Sequence, residues 1–407
     1  MCRWITLLSS ENVPLSDIIL APSNSLIQLS KDASFHPGYS EMNNHRMNGD
    51  GFGIGWYHSI CPPEHRQSDE PCTMNPLEHV SAAVFKDTQP AWNNANLREL
   101  CKAVESHCIV AHVRAASPFA GISEPNCHPF KAGRLLFCHN GRIPNFNKIR
   151  RSVMMQADDE AYVKVRGTTD SEAIFALILT FLGQDSEFGS PYKQTKPFGA
   201  KRLTAAVKRA LRSLERTLDE AGVDTGFSTL NFCLTDGETV VVTRFCNKSP
   251  QVPPPSLYFA FGDARALERE LILEEPDPIF DEKDEEKKDD GTTDTDSGNG
   301  TNDENDDGNP VDLFCKVSAP GKIYADIDKT SASFIVSSCP LTRTHVWTPM
   351  PKNSIMWYTR GSFPELRMLK RRRRTRSFVM LPPPTPEQVS LSNDGVLPVL
   401  DIVKEHL

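Results

Sequence analysis

The second residue of the chain is the feature that most constrains its fold. Cys2 directly follows Met1 and opens an extended apolar run, Cys2–Leu8, whose length and residue types predict a strand. An initiator Met is removed when a small residue such as Cys follows it. Removal would leave a thiol and an α-amine, with a pKa of about 7.7 to 8.0, on one residue, so the amine could accept the thiol proton. The sequence therefore predicts a nucleophile at the start of a strand, with a buried, inert cysteine as the alternative.

Length and composition are those of a globular chain. The 407 residues suggest about two to three domains, and 39% hydrophobic and 24% charged residues are typical of soluble proteins. The longest apolar stretch, 173–182, is shorter than the roughly 18 residues of a membrane span, so no membrane interaction is expected. Eleven cysteines without regular spacing indicate reduced thiols, and the N-terminus lacks the features of a signal peptide. We expect a cytosolic protein.

Two segments are expected to be disordered. Residues 274–309 contain 16 acidic residues against 3 lysines, a charge of −13, which leaves +5 on the rest because the net charge is −8. The segment 274–310 has too few apolar side chains to offset the entropy of ordering, so we expect it to be a disordered acidic insertion. Residues 361–407, with the run Lys370–Arg374 and the prolines after it, read as a flexible basic tail. No aromatic residues interleave these arginines, so nucleic-acid binding is not expected.

Local signals predict mixed α and β structure. The Asp236-Gly237 pair tolerates the positive φ of a tight primed turn and predicts a hairpin. Thr169 and Glu172 have the spacing of a capping box ahead of a helix over 173–182, and Gly222 would end an amphipathic helix over 202–221. Strands are predicted at 53–57, 81–85, 109–115, 135–139, 227–234, 239–245, 333–336 and 354–358. The last two would return to the same sheets, so that residues 311–360 complete the preceding domain.

Four segments place polar groups at strand ends or turns. Asn140 and Gly141 offer a side-chain amide and a backbone N–H, the two donors of an oxyanion hole. Arg114 ends an apolar strand, where its guanidinium could hold a carboxylate or form a structural ion pair. Asp170 lies in the first turn of a predicted helix, where capping alone would explain it. The segments are Asn48–Gly53, Ala111–Ser117, Cys138–Gly141 and Gly167–Glu172.

Two Cys-His pairs suggest zinc as an alternative use of these residues. The pairs are Cys127-His128 and Cys138-His139. Neighbours on an extended strand point to opposite faces, so each pair could donate at most one ligand. We therefore expect neither a metal nor another cofactor.

In order and content, Cys2 and the four segments resemble the class II glutamine amidotransferase family over residues 2–260. The resemblance implies an α+β fold, the N-terminal-nucleophile hydrolase αββα sandwich of two stacked antiparallel sheets. It also implies roles for individual residues. These are Cys2 as nucleophile, Asn140 and Gly141 as oxyanion hole, Arg114 as carboxylate clamp, Asp170 as partner of the substrate α-ammonium group, and Ser117, Asn48 and Asp50 as further substrate contacts.

Three segments resemble the family branch that includes the amidotransferase-like subunit of a fungal glutathione-degradation complex. They are Asn48–Gly51, Thr88–Asn94 and Ser123–Phe130. The resemblance implies the catalytic subunit of a complex that cleaves the γ-glutamyl amide of glutathione to glutamate and cysteinylglycine, together with a peptidase-like partner subunit. Ala115 and Pro118 stand where many ammonia-producing members have an aromatic residue and a His, which suggests room for a bulkier substrate.

Two alternatives to glutathione cleavage stay open. In the first, the chain is a glutaminase subunit that supplies ammonia to a partner synthase. In the second, it is a non-catalytic interaction protein that uses the acidic insertion and the basic tail.

Overall fold

Two antiparallel sheets, described by a computed structural model, form the centre of the protein. The structure describes residues 2–33, 47–59, 80–116, 121–184, 189–223, 226–248, 252–264, 327–342 and 347–369. The predicted acidic insertion, the basic run from Lys370 onward, and Ser117 and Pro118 lie outside the described residues.

Each sheet combines strands from before residue 265 with strands from after residue 326. In chain order they are β1 (Arg3–Pro14), β2 (Phe52–Ser59), β3 (Val80–Asp87), β4 (Glu105–Val113), β5 (Phe130–Ala132), β6 (Leu135–Arg142), β7 (Thr229–Thr235), β8 (Thr239–Arg244), β9 (Tyr258–Asp263), β10 (Ala332–Ser337), β11 (Thr348–Pro349), β12 (Ser354–Thr359) and β13 (Glu365–Met368). Across the described residues, one sheet has the order β11-β9-β10-β1-β4-β2-β3 and the other β13-β12-β8-β7-β6-β5. The strand β10 therefore lies between β1 and β9, and β12 lies beside β8.

Helices cover the outer face of each sheet. They are α1 (Leu15–Ile19), α2 (Leu26–Lys31), α3 (Ala95–Ala103), α4 (Phe146–Met154), α5 (Asp159–Lys164), α6 (Asp170–Gly183) and α7 (Ala200–Glu220). The helices α6 and α7 were predicted, and Gly222 follows the end of α7 as expected. Nearly every side chain of α6 is buried, because this helix contacts both α7 and the second sheet. No helix in the described part of the chain combines the length and apolar character needed to cross a membrane.

Side-chain alternation along the strands builds three apolar layers. On β1, Trp4 and Leu8 lie in the layer between the sheets, while Ile5 and Leu7 pack under α1 to α3. On β6, Leu136 likewise faces the other sheet, whereas its neighbours pack against α4 to α7. Because alternate residues of a strand share a face, one apolar strand supplies two layers. The arrangement is an αββα sandwich, as predicted.

The predicted hairpin forms between β7 and β8, but its turn differs from the expected tight primed turn. Three residues connect the strands, and among them only Gly237 has a positive φ, 88°. The carboxylate of Asp236 accepts hydrogen bonds from the backbone N–H groups of Glu238 and Thr239, at 3.0 and 2.8 Å. This carboxylate fixes a longer loop, whose one left-handed position is taken by glycine.

Two other expectations need correction. The Thr169 hydroxyl caps α6 by accepting from Glu172 N at 3.2 Å, but the Glu172 carboxylate accepts from two residues upstream of Thr169, so the capping box is only half formed.

The predicted tail from residue 361 includes β13, which pairs with β12. The Trp357 indole donates to Glu365 at 3.1 Å and lies 5.3 Å from the Arg367 guanidinium, contacts that tie β13 to the sheet.

Candidate active site

The candidate site lies where the layer between the sheets changes from apolar to polar. On β4, Cys108 and Val110 belong to the apolar layer, and His112 follows them on the same face. On β6, Cys138 belongs to this layer and Asn140 follows it in the same way. The alternation that builds the core thus continues into the site, which places polar groups from both sheets at one end of the sandwich.

A cavity of about 590 Å³ collects four residues that the sequence assigned to one site. Cys2, Arg114, Gly141 and Asp170 all line it, although they come from four separate segments. The half-buried Cys2 thiol lies between two backbone groups of Ala115, 3.4 Å from its nitrogen and 3.5 Å from its oxygen. The start of β1 therefore holds the thiol against the segment that follows β4.

The Arg114 guanidinium is buried and fixed in position. Only 3% of the residue is exposed. The guanidinium donates to the carbonyl oxygens of Gly121, at 3.1 Å, and Asp50, at 3.4 Å. The backbone of Arg114 also pairs with that of Gly51 and Asp50. These contacts orient a permanent cation at the buried end of the cavity.

Asp170 begins α6 and connects that helix to the segment after β6. One carboxylate oxygen accepts from the backbone N–H of Ile143 at 2.9 Å, and the other accepts from the Ser171 hydroxyl at 3.3 Å. The same hydroxyl lies 2.9 Å from Nδ1 of His139. Among the described residues that line the cavity, Asp170 is the one that carries a carboxylate.

Asn140 and Gly141 lie inside β6 rather than after it, opposite Asn231 and Leu230 of β7. Gly141 lines the cavity, whereas Asn140 is 1% exposed and is not part of the lining. A β-carbon at Gly141 would overlap the carbonyl oxygen of Thr229. This close approach of β7 is the structural reason for glycine at the position.

The three remaining predicted substrate contacts have different outcomes. Asn48 is fully buried and donates to the Leu29 carbonyl oxygen at 3.0 Å, so it fixes the end of α2 and does not line the cavity. Asp50 accepts from the backbone N–H of Ala116 at 2.7 Å, which orients the segment after Arg114. Ser117 belongs to the part of the chain that is not described.

Three buried histidines surround the site and are held neutral. Burial, with a smaller contribution from Arg114, lowers the pKa of His112 to about 3, and burial lowers the pKa of His128 well below its usual value. Burial also lowers the pKa of His139, against the opposing effect of Asp170. The rings of His112 and His128 stack with centroids 4.2 Å apart. His128 and His139 line the cavity, and at neutral pH neither adds charge to it.

Two positioning residues were not predicted as part of the site. The Asn126 side chain donates to the Gly121 carbonyl oxygen at 3.0 Å and accepts from Thr168 N at 2.8 Å. Because Gly121 also accepts from Arg114, Asn126 connects the surroundings of Arg114 with the segment before Asp170. The Glu172 carboxylate accepts from the backbone N–H groups of Arg166 and Gly167, at 3.0 and 2.6 Å. Sequence offered one signal for Asn126, its place within the quoted segment Ser123–Phe130.

The two Cys-His pairs do not assemble into a metal site. No group of three or more His, Cys, Asp or Glu side chains within the described ranges could hold an ion. Burial and the adjacent Cys233 raise the pKa of Cys138 well above its usual value, so this residue stays a thiol in the core.

Comparison with known proteins identifies the family. The model for class-II glutamine amidotransferases matches residues 24–252, more than half of the chain. The chain belongs to the class II glutamine amidotransferases. Its fold is accordingly the N-terminal-nucleophile sandwich expected from the sequence, and the protein is an enzyme of this N-terminal-cysteine class.

Named relatives include amidotransferases and hydrolases. The chain is 36% identical over 271 residues to the Saccharomyces cerevisiae protein named "Probable glutamine amidotransferase DUG3", covering 65% of this chain and 69% of that protein. It is 29% identical over 143 residues to the γ-glutamyl-hercynylcysteine sulfoxide hydrolase of Mycobacterium tuberculosis, covering 35% of this chain and 50% of the relative. Among solved structures, a class-II domain protein from Silicibacter pomeroyi superposes with a TM-score of 0.48 at 18% identity, over 91% of this chain and all of that one.

Proposed function

We propose that this amidotransferase-family enzyme hydrolyses a γ-glutamyl amide through Cys2, with glutathione as its substrate. The observation that carries the proposal is the single cavity lined by Cys2, Arg114, Gly141 and Asp170. A nucleophile, a carboxylate-binding cation, a close-approach glycine and a carboxylate are the groups that a γ-glutamyl head requires. The name of the mycobacterial relative, a γ-glutamyl hydrolase, supports this chemistry.

Binding in this proposal uses opposite charges. Arg114 holds the α-carboxylate of the glutamyl group, since a guanidinium can donate two parallel hydrogen bonds to it. Asp170 accepts from the α-ammonium group. Both interactions engage atoms that glutathione and glutamine share, so they position either substrate.

The reaction proceeds through a thioester. Once Met1 is removed, the α-amine of Cys2 accepts the thiol proton, and the sulfur attacks the γ-carbonyl carbon. Gly141, which lines the cavity, stabilises the negative charge that develops on the carbonyl oxygen, and the buried Asn140 beside it on β6 completes the proposed oxyanion hole. The C–N bond breaks as the amine returns its proton to the leaving nitrogen, which releases cysteinylglycine. Water then adds to the thioester and releases glutamate and the thiol.

The cellular setting is part of the proposal. We place the reaction in the cytosol, which is consistent with the unbridged thiols Cys108, Cys138 and Cys233. The resemblance of Asn48–Gly51 and Ser123–Phe130 to the fungal branch supports a peptidase-like partner subunit.

A second candidate is glutamine hydrolysis that supplies ammonia to a partner synthase. The family description and the name of the yeast relative favour it. The two candidates differ only in the leaving group, so product analysis separates them.

The test uses protein whose mature N-terminus is verified by mass spectrometry. The protein, alone and with candidate partner subunits, is incubated with glutathione and with glutamine, and glutamate, cysteinylglycine and ammonia are measured. Cysteinylglycine that forms with the parent protein but not with Cys2→Ala supports the proposal. Ammonia from glutamine without any cysteinylglycine from glutathione favours the second candidate. A retained Met1 in active protein would remove the proposed base.

A further inference from the structure

We propose that Arg142 and Lys148 form a second carboxylate-binding subsite in the cavity, which recognises the C-terminal carboxylate of a peptide leaving group. The inference rests on the proposed γ-glutamyl hydrolysis and deepens it. It assigns the discrimination between a γ-glutamyl peptide and glutamine to two residues outside the motifs that are proposed to bind the glutamyl group.

The charges of the cavity lining carry the inference. Among the described lining residues, Arg114, Arg142 and Lys148 are cations and Asp170 is the anion. A glutamyl head brings one carboxylate and one ammonium group, which Arg114 and Asp170 match. Two cations remain, whereas glutamine offers no further anion. A γ-glutamyl peptide with a free C-terminus supplies one.

The histidines of the lining do not alter this balance. Burial lowers the pKa of both His128 and His139, so each ring stays neutral at neutral pH. The excess positive charge of the described lining therefore depends on Arg142 and Lys148 alone.

The positions of the two cations match the direction in which a leaving group extends. Arg114, which is 3% exposed, marks the buried end of the cavity. Arg142 and Lys148 are exposed, so they lie at the open end. Arg142 directly follows Gly141, and its guanidinium carbon lies 5.0 Å from the centroid of the Phe227 ring, which limits the freedom of the side chain. A substrate whose head contacts Arg114 would extend its leaving group towards these cations.

Lys148 is also placed against the ordinary preference of a helix. It lies in the first turn of the nine-residue helix α4, and that turn contains no acidic residue. The helix dipole makes this end positive, so it favours carboxylates and disfavours a lysine. A residue that goes against such a local preference, with no neighbouring group to compensate for it, often marks a functional position. A bound carboxylate would provide that compensation for Lys148 and for the first turn of α4.

The experiment varies the charge on both sides of the contact. Glutathione is compared with its glycine ethyl ester, which lacks the C-terminal carboxylate but keeps the γ-glutamyl bond. The proteins are the parent, Arg142→Gln, Lys148→Gln and the double variant. Arg151→Gln serves as the matched control, because Arg151 is an exposed arginine of the same helix and does not line the cavity. The readout is the ratio of kcat/KM for the acid to kcat/KM for the ester.

An exposed cation that makes one charge-assisted hydrogen bond changes this ratio by about fivefold, so we expect a preference for the acid of about 25-fold in the parent. The double variant should lose this preference, each single variant should lose about fivefold, and Arg151→Gln should keep it. A parent enzyme that cleaves the acid and the ester equally well, or a double variant that retains the preference, would overturn the subsite.

A binding measurement separates this inference from the proposed function. Cys2→Ala protein is titrated with glutathione and with the ester by calorimetry, so the preference is measured without turnover. If the parent releases no glutamate from either compound, the proposed function fails, and the calorimetric ratio still decides the subsite. Equal affinity for the acid and the ester would refute it.

Discussion

Lowering the pH from about 7 to about 5 is predicted to destabilise the folded protein through its buried histidines. Burial and the nearby Arg114 lower the pKa of His112 to about 3. Burial and Arg360 lower the pKa of His107 to about 4. In the unfolded chain both imidazoles titrate near about 6.5. Between that value and the folded pKa values the unfolded state binds more protons, so this stability is present above about pH 6.5 and is lost as the pH falls.

The size of the loss follows from how far the pH lies below the pKa of the unfolded imidazole. At about pH 5 each of these histidines contributes about 2 kcal/mol less to the free energy of unfolding than at pH 7, or about 4 kcal/mol less for the two. The lowered pKa values of His128 and His139 act in the same direction. A typical domain is stable by about 5 to 15 kcal/mol, so the loss is measurable and large.

The assay is denaturant unfolding as a function of pH, with His112→Phe as the test variant. Phenylalanine keeps an aromatic ring against His128 but cannot titrate. Between about pH 6 and pH 5 its free energy of unfolding should fall less steeply than that of the parent, by about 1.4 kcal/mol per pH unit. His58→Phe, at an exposed position of β2, should leave the slope unchanged. The same slope in the parent and His112→Phe would refute the reasoning.

Three further variants test how the site is held. Gly141→Ala should lower kcat by at least about 100-fold, because the new methyl group overlaps the Thr229 carbonyl and displaces the proposed oxyanion donor; near-parent kcat would contradict this. Glu172→Ala should reduce the free energy of unfolding by about 3 to 5 kcal/mol, because it removes the acceptor of two backbone N–H groups; Glu172→Gln, which keeps one amide oxygen, should lose less, and equal losses in denaturant melts would count against it. Arg114→Lys should raise KM for glutathione by at least about tenfold, since lysine cannot bind a carboxylate with two parallel hydrogen bonds; an unchanged KM in steady-state kinetics would rule out the clamp.

Much of the fold could be predicted because its signals are local. The Asp236-Gly237 pair marked the hairpin of β7 and β8, and Thr169 marked the start of α6, since turn and capping chemistry depend on a few adjacent residues. The short helices α1 to α5 were not predicted, although Ser25, Asn94 and Asp158 cap the starts of α2, α3 and α5 with their side chains. They are held mainly by packing on the outer faces of the sheets, and such contacts join residues that are distant in the chain.

The candidate site was predicted in part for the same reason. Cys2, Arg114 and Asp170 carry charge or reactivity next to strand or helix ends, which makes them visible in a sequence. Asn48 has the same kind of neighbourhood, yet its side chain donates to the Leu29 carbonyl oxygen. Which polar residue lines a cavity depends on how the sheets approach one another. Asn126 was missed as a positioning residue because its contact with Thr168, 42 residues further along the chain, is determined only by the tertiary fold.

The most direct test of the central claim is mass spectrometry of the acyl-enzyme. The mature protein is mixed with glutathione or glutamine, quenched in acid, digested and searched for a γ-glutamyl thioester. The account predicts the adduct on the peptide that begins with Cys2, and it predicts no adduct and no turnover for Cys2→Ala. An adduct on another residue, or parent-like turnover by Cys2→Ala, would contradict it.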